Sequence, residues 1–194
     1  DILAGDASMG PGSSAEVTEA DGRVIEITVR VVDPSNCTVD LIDITDRVEA
    51  ASLLYNQARR DDLTGLPNRR ALTEHLAETL ESLDTGCVAL LSIDLDAFKE
   101  INDALGHETG DLLLRELANR IVSCRPSGYG YACRIGGDEF AVVVTGSAGE
   151  RIRAIAAQVS DAISQPAHVG DLRLRVRASI GIATAPGDAD TVDE

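Results

Sequence analysis

Gly136 and Gly137 constrain this chain more than any other pair of residues. They lie between two apolar segments, Tyr131 to Ile135 and Phe140 to Thr145, and are followed at once by Asp138 and Glu139. A tight hairpin turn needs positive φ, which glycine adopts without steric cost. The two segments are therefore expected to pair as an antiparallel hairpin with two adjacent acids at its tip. Turns of this kind are common punctuation, so any chemistry must be argued from what converges on this one.

From residue 69 onward, helical and strand patterns alternate. Leu72, Leu76, Leu80 and Leu83 share one helical face. Cys87 to Ile93 is a short, continuous apolar run, expected to be a strand buried on both faces that ends in Asp94-Leu95-Asp96. Phe98 to Asp103 reads as a short helix stopped by Gly106, and Thr109 to Cys124 resumes with Leu113, Leu117 and Ile121 inward. Glu150 to Ser164 is a further helix with Ile152, Ile155, Ala156, Val159 and Ile163 inward. Leu172 to Ala185 supplies one or two strands before a turn at Pro186-Gly187-Asp188. This order predicts an α/β (α+β) fold, a mixed central sheet flanked by helices.

The N-terminal part reads differently. Residues 1 to 20 are rich in Gly, Ser and Ala without a period and are expected to be loop or disordered. Val24 to Val32 and Cys37 to Ile44 read as strands around the turn cluster Asp33-Pro34-Ser35-Asn36. Thr45 then reads as the N-cap of a helix running to about Asp61. Ile44, Val48, Ala51, Tyr55 and Ala58 form a short coiled-coil seam along it. Gly65 and Pro67 break this pattern and begin a new unit.

Composition excludes some functions. A net charge of −16 argues against nucleic acid or an anionic membrane as partner, since both need a basic footprint. No apolar stretch reaches the length of a membrane span, and a cytoplasmic location is expected. A parent protein could still be tethered outside this stretch, because a chain opening at Asp1 reads as part of a longer one. Cys37, Cys87, Cys124 and Cys133 show no C-x-x-C pairing and are expected to be buried, reduced thiols. Of the 17 basic residues, all but Lys99 are arginine, and the two cations are not equivalent at a phosphate.

Asp94 stands where an apolar strand ends, while Asp138 and Glu139 stand on the hairpin tip. If that hairpin pairs beside the strand, three carboxylates converge, and their ionised forms need a divalent cation to offset their repulsion. Oxygen-only ligands of this type suit Mg²⁺ completed by substrate phosphates. The alternative reading of Asp94 is a cap on the helix starting near Ala97.

Arg134-Ile-Gly-Gly-Asp-Glu-Phe140 resembles the signature of the GGDEF family of diguanylate cyclases, and three other blocks match in order. Asp62-Leu-Thr-Gly-Leu-Pro-Asn-Arg-Arg70 resembles the family's opening motif. Asp94-Leu-Asp-Ala-Phe-Lys-Glu-Ile-Asn-Asp103, with Gly106-His107 and Gly110-Asp111, resembles its nucleotide-binding block. Ser179-Ile-Gly-Ile-Ala183 is similar to its penultimate strand. The resemblance implies a fold similar to the palm of polymerases and nucleotidyl cyclases, and a reaction joining two GTP into cyclic di-GMP with release of two pyrophosphates. It implies Mg²⁺, with Mn²⁺ as an alternative, held by Asp94, the Leu95 carbonyl and, as the third ligand, Asp138 at the signature's first acidic position, with Glu139 as a second signature ligand. Glu139 would otherwise help deprotonate the attacking 3′-hydroxyl. Asn102 and Asp111 correspond to the guanine-reading pair, Lys99 to a phosphate contact, and Phe98 and Arg134 to further substrate-binding positions. Catalysis then requires a homodimer in which two GTP-loaded domains face each other.

Asp21 to Ile27 and Val39 to Arg47 resemble the final strands of a PAS sensor, and the seam after them its signalling helix. The implied organisation is a PAS-like fragment over 1–44, a linker helix over 45–61 and a GGDEF domain over 62–194. Many members carry an inhibitory product site, Arg-x-x-Asp, where this chain has Ser127-Gly128-Tyr129-Gly130, so little feedback inhibition is expected through it. The family also continues into a helix whose Lys and Arg grip the triphosphate, so the domain is expected to be C-terminally incomplete at Glu194. Two other functions compete: a non-catalytic GTP-binding module beside a downstream cyclic di-GMP phosphodiesterase domain, and a dimerising sensor-transmitter.

Overall fold

Two units make up the molecule, the first ending at Ala58 and the second starting at Arg59. The computed structural model describes residues 13–82, 86–124, 130–146 and 149–188. The first unit is a three-stranded antiparallel sheet of β1 (Ser14–Thr18), β2 (Val24–Asp33) and β3 (Asn36–Asp43), in that order, followed by α1 (Thr45–Gln57). Register pairs Ile27 with Leu41, Val29 with Val39 and Ala15 with Ile27, so alternation collects the aliphatic residues on one face. Val31, Val39 and Leu41 on that face are exposed.

Three expectations for this unit are corrected. Residues 14–18, read as loop, form β1, because Ala15 and Val17 oppose Ile27 and Ile25. Thr45 is not the N-cap. Ile44 holds that position, while the Thr45 hydroxyl accepts from the Val24 amide at 2.9 Å and donates to Asp43 Oδ1 at 2.6 Å. The helix also ends at Gln57 rather than Asp61. Beyond it Arg60 pairs with Pro67 in an isolated bridge and the Asp61 amide donates to the Leu66 carbonyl, which takes this backbone out of helical bonding. Of the seam residues only Ile44 is buried; Ala51, Tyr55 and Ala58 are exposed.

The second unit runs α2 (Arg69–Glu81), β4 (Val88–Asp96), α3 (Phe98–Leu105), α4 (His107–Cys124), β5 (Gly130–Gly136), β6 (Glu139–Thr145), α5 (Glu150–Ser164), β7 (Ala167–Val169), β8 (Leu172–Leu174) and β9 (Arg177–Ala185). Leu83, expected on the α2 face, lies outside the described residues. β5, β6, β4 and β9 form one sheet in that order, and β7 and β8 form a small hairpin of their own. The expected fold is present, although all three pairings of this sheet are antiparallel rather than mixed.

β4 sits inside the sheet, which is why its sequence is nearly continuous in apolar residues. Ala89, Leu91, Ile93 and Leu95 face the larger core with Phe98, Leu113, Leu117, Ile121, Val159 and Ile163 from the helices. Val88 and Leu90 face the opposite side, where Leu72, Leu76 and Leu80 of α2 cover Cys133, Ala141 and Val143. α2 covers only part of that second face; Ser92, Asp94 and Asp96 at the far end of β4 are exposed. The sheet is thus sealed by apolar packing at one end and open at the other. Arg120 of α4 stitches the packing by donating to the carbonyls of Ala162, Gln165 and Pro166, which satisfies orphan acceptors at the end of α5. Of the four free cysteines only Cys133 is buried, Cys87 and Cys124 are partly so, and Cys37 is exposed. Burial pushes the Cys133 thiol up to about 12, so it is a packing group and not a nucleophile.

Candidate active site

The open end of the second sheet face is where the acids lie. Pairing of β4 with β6 sets Asp94 directly opposite Glu139, and pairing with β9 sets it opposite Ser179. Directly opposed residues share a face, so Asp94 and Glu139 form a cross-strand carboxylate pair. Such a pair is destabilising by itself. Asp138 is placed differently. It lies in the turn before β6 and meets β4 through its carbonyl, which accepts from the Leu95 amide at 3.3 Å. Among the described residues no three His, Cys, Asp or Glu side chains are grouped as a metal cluster. Two carboxylates with the neighbouring backbone carbonyls remain a donor set suited to a hard divalent ion that keeps waters and takes further ligands from phosphates.

Asp94 is not a helix cap. The N-cap of α3 is Ala97, whose φ of 58° makes it a non-glycine residue in the left-handed region. This kink turns the chain from the end of β4 directly into α3. It sets Phe98 into the core and leaves Lys99 exposed in the first helical turn, with no ion pair among the described residues.

Asn102 and Asp111 belong to α3 and α4, which pack against each other. The Asn102 Oδ1 is buried without a hydrogen-bond partner in the protein. It lies against Gly110, where a β-carbon would come within 1.9 Å of Oδ1 and 3.2 Å of the Phe98 ring. Gly110 thus makes the room that Asn102 occupies, a role invisible to sequence reasoning because nothing local demands a glycine there. An orphaned buried acceptor is costly to the fold, and such a group in a native structure calls for a specific explanation.

Arg134, expected to bind substrate, is instead committed within the protein. It is 9% exposed; its Nε and Nη2 donate to the Gly137 carbonyl at 3.0 and 2.7 Å, and its Nη1 to Asp61 at 2.9 Å. Asp61, one residue before the motif as read from sequence, also accepts from the Thr64 amide and hydroxyl. The Arg134 amide donates to the Pro67 carbonyl, so the opening motif and the signature turn are laced together. Burial pushes the Asp61 carboxyl up, but hydrogen bonds from Thr64 and Arg134 outweigh it and hold the group below its usual range. A depressed carboxyl pKa stabilises the fold above the unfolded value near 3.8 and loses that contribution as pH falls through the folded value. Arg134→Ala is expected to cost about 3 kcal/mol at pH 7 by leaving Asp61 without its cation, and less below pH 3. Urea melts of both proteins at pH 7 and pH 3 check this, and an equal loss at both pH values would exclude the ion pair as its source.

Comparison with known proteins places this geometry. Residues 58–194 match the family profile described as "Diguanylate cyclase, GGDEF domain". The bifunctional diguanylate cyclase/cyclic di-GMP phosphodiesterase MucR of Pseudomonas aeruginosa is 38% identical over 152 residues, covering 77% of this chain and 22% of MucR. The cyclic di-GMP phosphodiesterase PdeR of Escherichia coli is 35% identical over 144 residues, 74% of this chain and 22% of PdeR. The chain therefore spans about a fifth of the length of these relatives. Among solved structures, the GGDEF domain of YfiN from Pseudomonas aeruginosa matches with a TM-score of 0.65 at 36% identity, covering 69% of this chain and 80% of that one. A sensory box/GGDEF family protein from Caulobacter crescentus matches with a TM-score of 0.64 at 34% identity, over 70% of this chain and 88% of that one. With the profile match covering well over half of its residues, the chain belongs to the GGDEF diguanylate cyclase domain family.

Proposed function

We propose that this chain is a diguanylate cyclase that condenses two GTP into cyclic di-GMP and two pyrophosphates, with Mg²⁺ as the metal. The observation that carries this reading is the cross-strand pairing of Asp94 with Glu139 at the exposed end of β4, beside the kink that presents Lys99. Asp94, the Leu95 carbonyl and the acids of the signature would hold the cation. When bound, a divalent cation offsets charge on the α-phosphate and the departing pyrophosphate. The protein's share is positional. Asn102 and Asp111 would read guanine, and the unpaired Asn102 Oδ1 is the acceptor that a guanine N–H would satisfy. An adenine, which lacks that donor arrangement, would leave it orphaned. Lys99, exposed at the start of α3, would contact phosphate. Glu139 would act on the attacking 3′-hydroxyl or on the cation.

One such domain holds one GTP, so both phosphodiester bonds require two domains related by a two-fold axis. The exposed seam residues Ala51, Tyr55 and Ala58 support a linker helix that sets this alignment under a PAS-like sensor. The similarity to PdeR, named a phosphodiesterase, supports a second reading, a GTP-binding module that regulates a neighbouring phosphodiesterase. The test is incubation of the protein and its Glu139→Ala variant with GTP and Mg²⁺, following cyclic di-GMP by chromatography. Product from the unaltered protein alone supports the cyclase. GTP binding without product supports the regulatory module. Ser127, Gly128 and Tyr129, expected to lack inhibitory product binding, lie outside the described residues.

A further inference from the structure

We propose that Arg69 is a positioning residue for Glu139, holding that carboxylate before the metal arrives and competing with the metal for it. Arg69 opens α2, and its Nη2 lies 3.6 Å from Glu139 Oε2. The two side chains are 70% and 50% exposed, and the separation exceeds a hydrogen bond. An ion pair of this kind adds little to the stability of the fold. Its location is what matters, because Glu139 is the residue set directly opposite Asp94. Two carboxylates opposed across a sheet repel, and in the metal-free protein Arg69 is the cation at hand to offset them.

The surroundings make this contact reproducible and also reversible. The backbone at Arg69 is pinned from several sides. Asn68 caps α2 by accepting from the Ala71 amide at 3.1 Å, and the Asn68 amide donates to the Arg59 carbonyl at 2.9 Å. The Pro67 carbonyl accepts from Arg134, whose side chain braces the signature turn through Gly137. The base of Arg69 and the turn that presents Glu139 are therefore held by one bonded unit. Beyond its backbone the Arg69 side chain is 70% exposed and borders an open hollow of about 620 Å³ shared with Arg70, Thr73 and Ile135. The neighbouring Arg70 is engaged differently, with its Nε donating to Glu74 at 2.8 Å. A fixed root, an exposed guanidinium and a long ion pair to a proposed metal-site acid describe a cation that yields its place when a stronger one binds.

The inference rests on the proposed metal role of Asp94 and Glu139, and its test separates the two. Mn²⁺ binding to the full chain is measured without nucleotide, by the electron paramagnetic resonance signal of the free ion. Removing a unit positive charge a few ångströms from the site is expected to tighten Mn²⁺ binding about three- to tenfold in Arg69→Ala at low ionic strength, and less at high salt. Arg69→Lys is expected to return the affinity most of the way to that of the unaltered chain. A merely structural role would lower the melting temperature and leave the Mn²⁺ affinity and its salt dependence unchanged. Equal affinities in a chain that does bind Mn²⁺ would overturn the role of Arg69 and leave the metal site standing. Failure of the unaltered chain and of Arg69→Ala to bind Mn²⁺ at all would overturn both.

Discussion

Asp94→Asn is expected to lower cyclic di-GMP formation by about 10³-fold or more, while the variant melts no lower than the unaltered protein. Loss of one charge-stabilising group in a phosphoryl-transfer site costs on the order of 3–4 kcal/mol of barrier, and loss of a metal ligand adds the lost metal affinity. The stability half of this result follows from register. Asp94 is exposed, accepts no side-chain hydrogen bond given by the described residues, and stands directly opposite Glu139. Removing one of two opposed like charges relieves about 0.2–1 kcal/mol of repulsion. A residue kept for the fold would show the opposite pattern, with stability and activity falling together. Product assays paired with thermal melts decide it, and a variant that melts clearly lower would mean that Asp94 serves the fold.

Gly110→Ala is expected to raise the KM for GTP by about ten- to a hundredfold with a smaller change in kcat. Alanine is favoured over glycine inside a helix by about 1 kcal/mol, so propensity alone predicts a stabilised protein. The obstacle is tertiary: the new β-carbon would meet Asn102 Oδ1 at 1.9 Å and the Phe98 ring at 3.2 Å. Asn102 must then swing away from its place between α3 and α4. In the proposed role, a guanine reader displaced by an ångström or more would lose the paired hydrogen bonds that separate guanine from adenine. The companion variant Asn102→Ala is expected to bind GTP just as poorly yet to gain about 1 kcal/mol of stability, because it removes a buried acceptor without a partner. Titration of GTP and ATP against both variants, with urea melts, checks the pair of outcomes. Unchanged GTP affinity in both would remove Asn102 from the nucleotide site.

Much of the second unit is legible in the sequence because its signals are local. Glu150 to Ser164 is readable to the residue, since the apolar period and the breaks around it lie within the helix itself. The hairpin around Gly136-Gly137 is readable because a tight turn demands particular backbone angles; the two glycines show φ of 155° and 53°. The β7–β8 hairpin is not, because three-residue strands carry too little alternation to register. β1 is hidden as well, because its composition is that of a loop and its pairing with β2 is a non-local choice.

The roles at the site divide along the same line. That Asp94, Lys99, Asn102, Asp138 and Glu139 are candidates for one chemistry is readable in the sequence, since they lie in two of the four ordered blocks that carry the resemblance. How they share the work is not. Arg134 reads as a cation beside an acidic turn, and only the fold buries it and binds it to Asp61, 73 residues away in sequence. The resemblance implies Asp138 as the third ligand and Glu139 as a further ligand or base, and only strand register sets Glu139 opposite Asp94 while the Asp138 carbonyl meets Leu95. The sequence by itself determined which residues could do this chemistry, because side-chain type and local backbone preference are written residue by residue. The tertiary structure decided which acid faces which, which arginine is spent on bracing and which glycine makes room, because those depend on distances between segments remote along the chain.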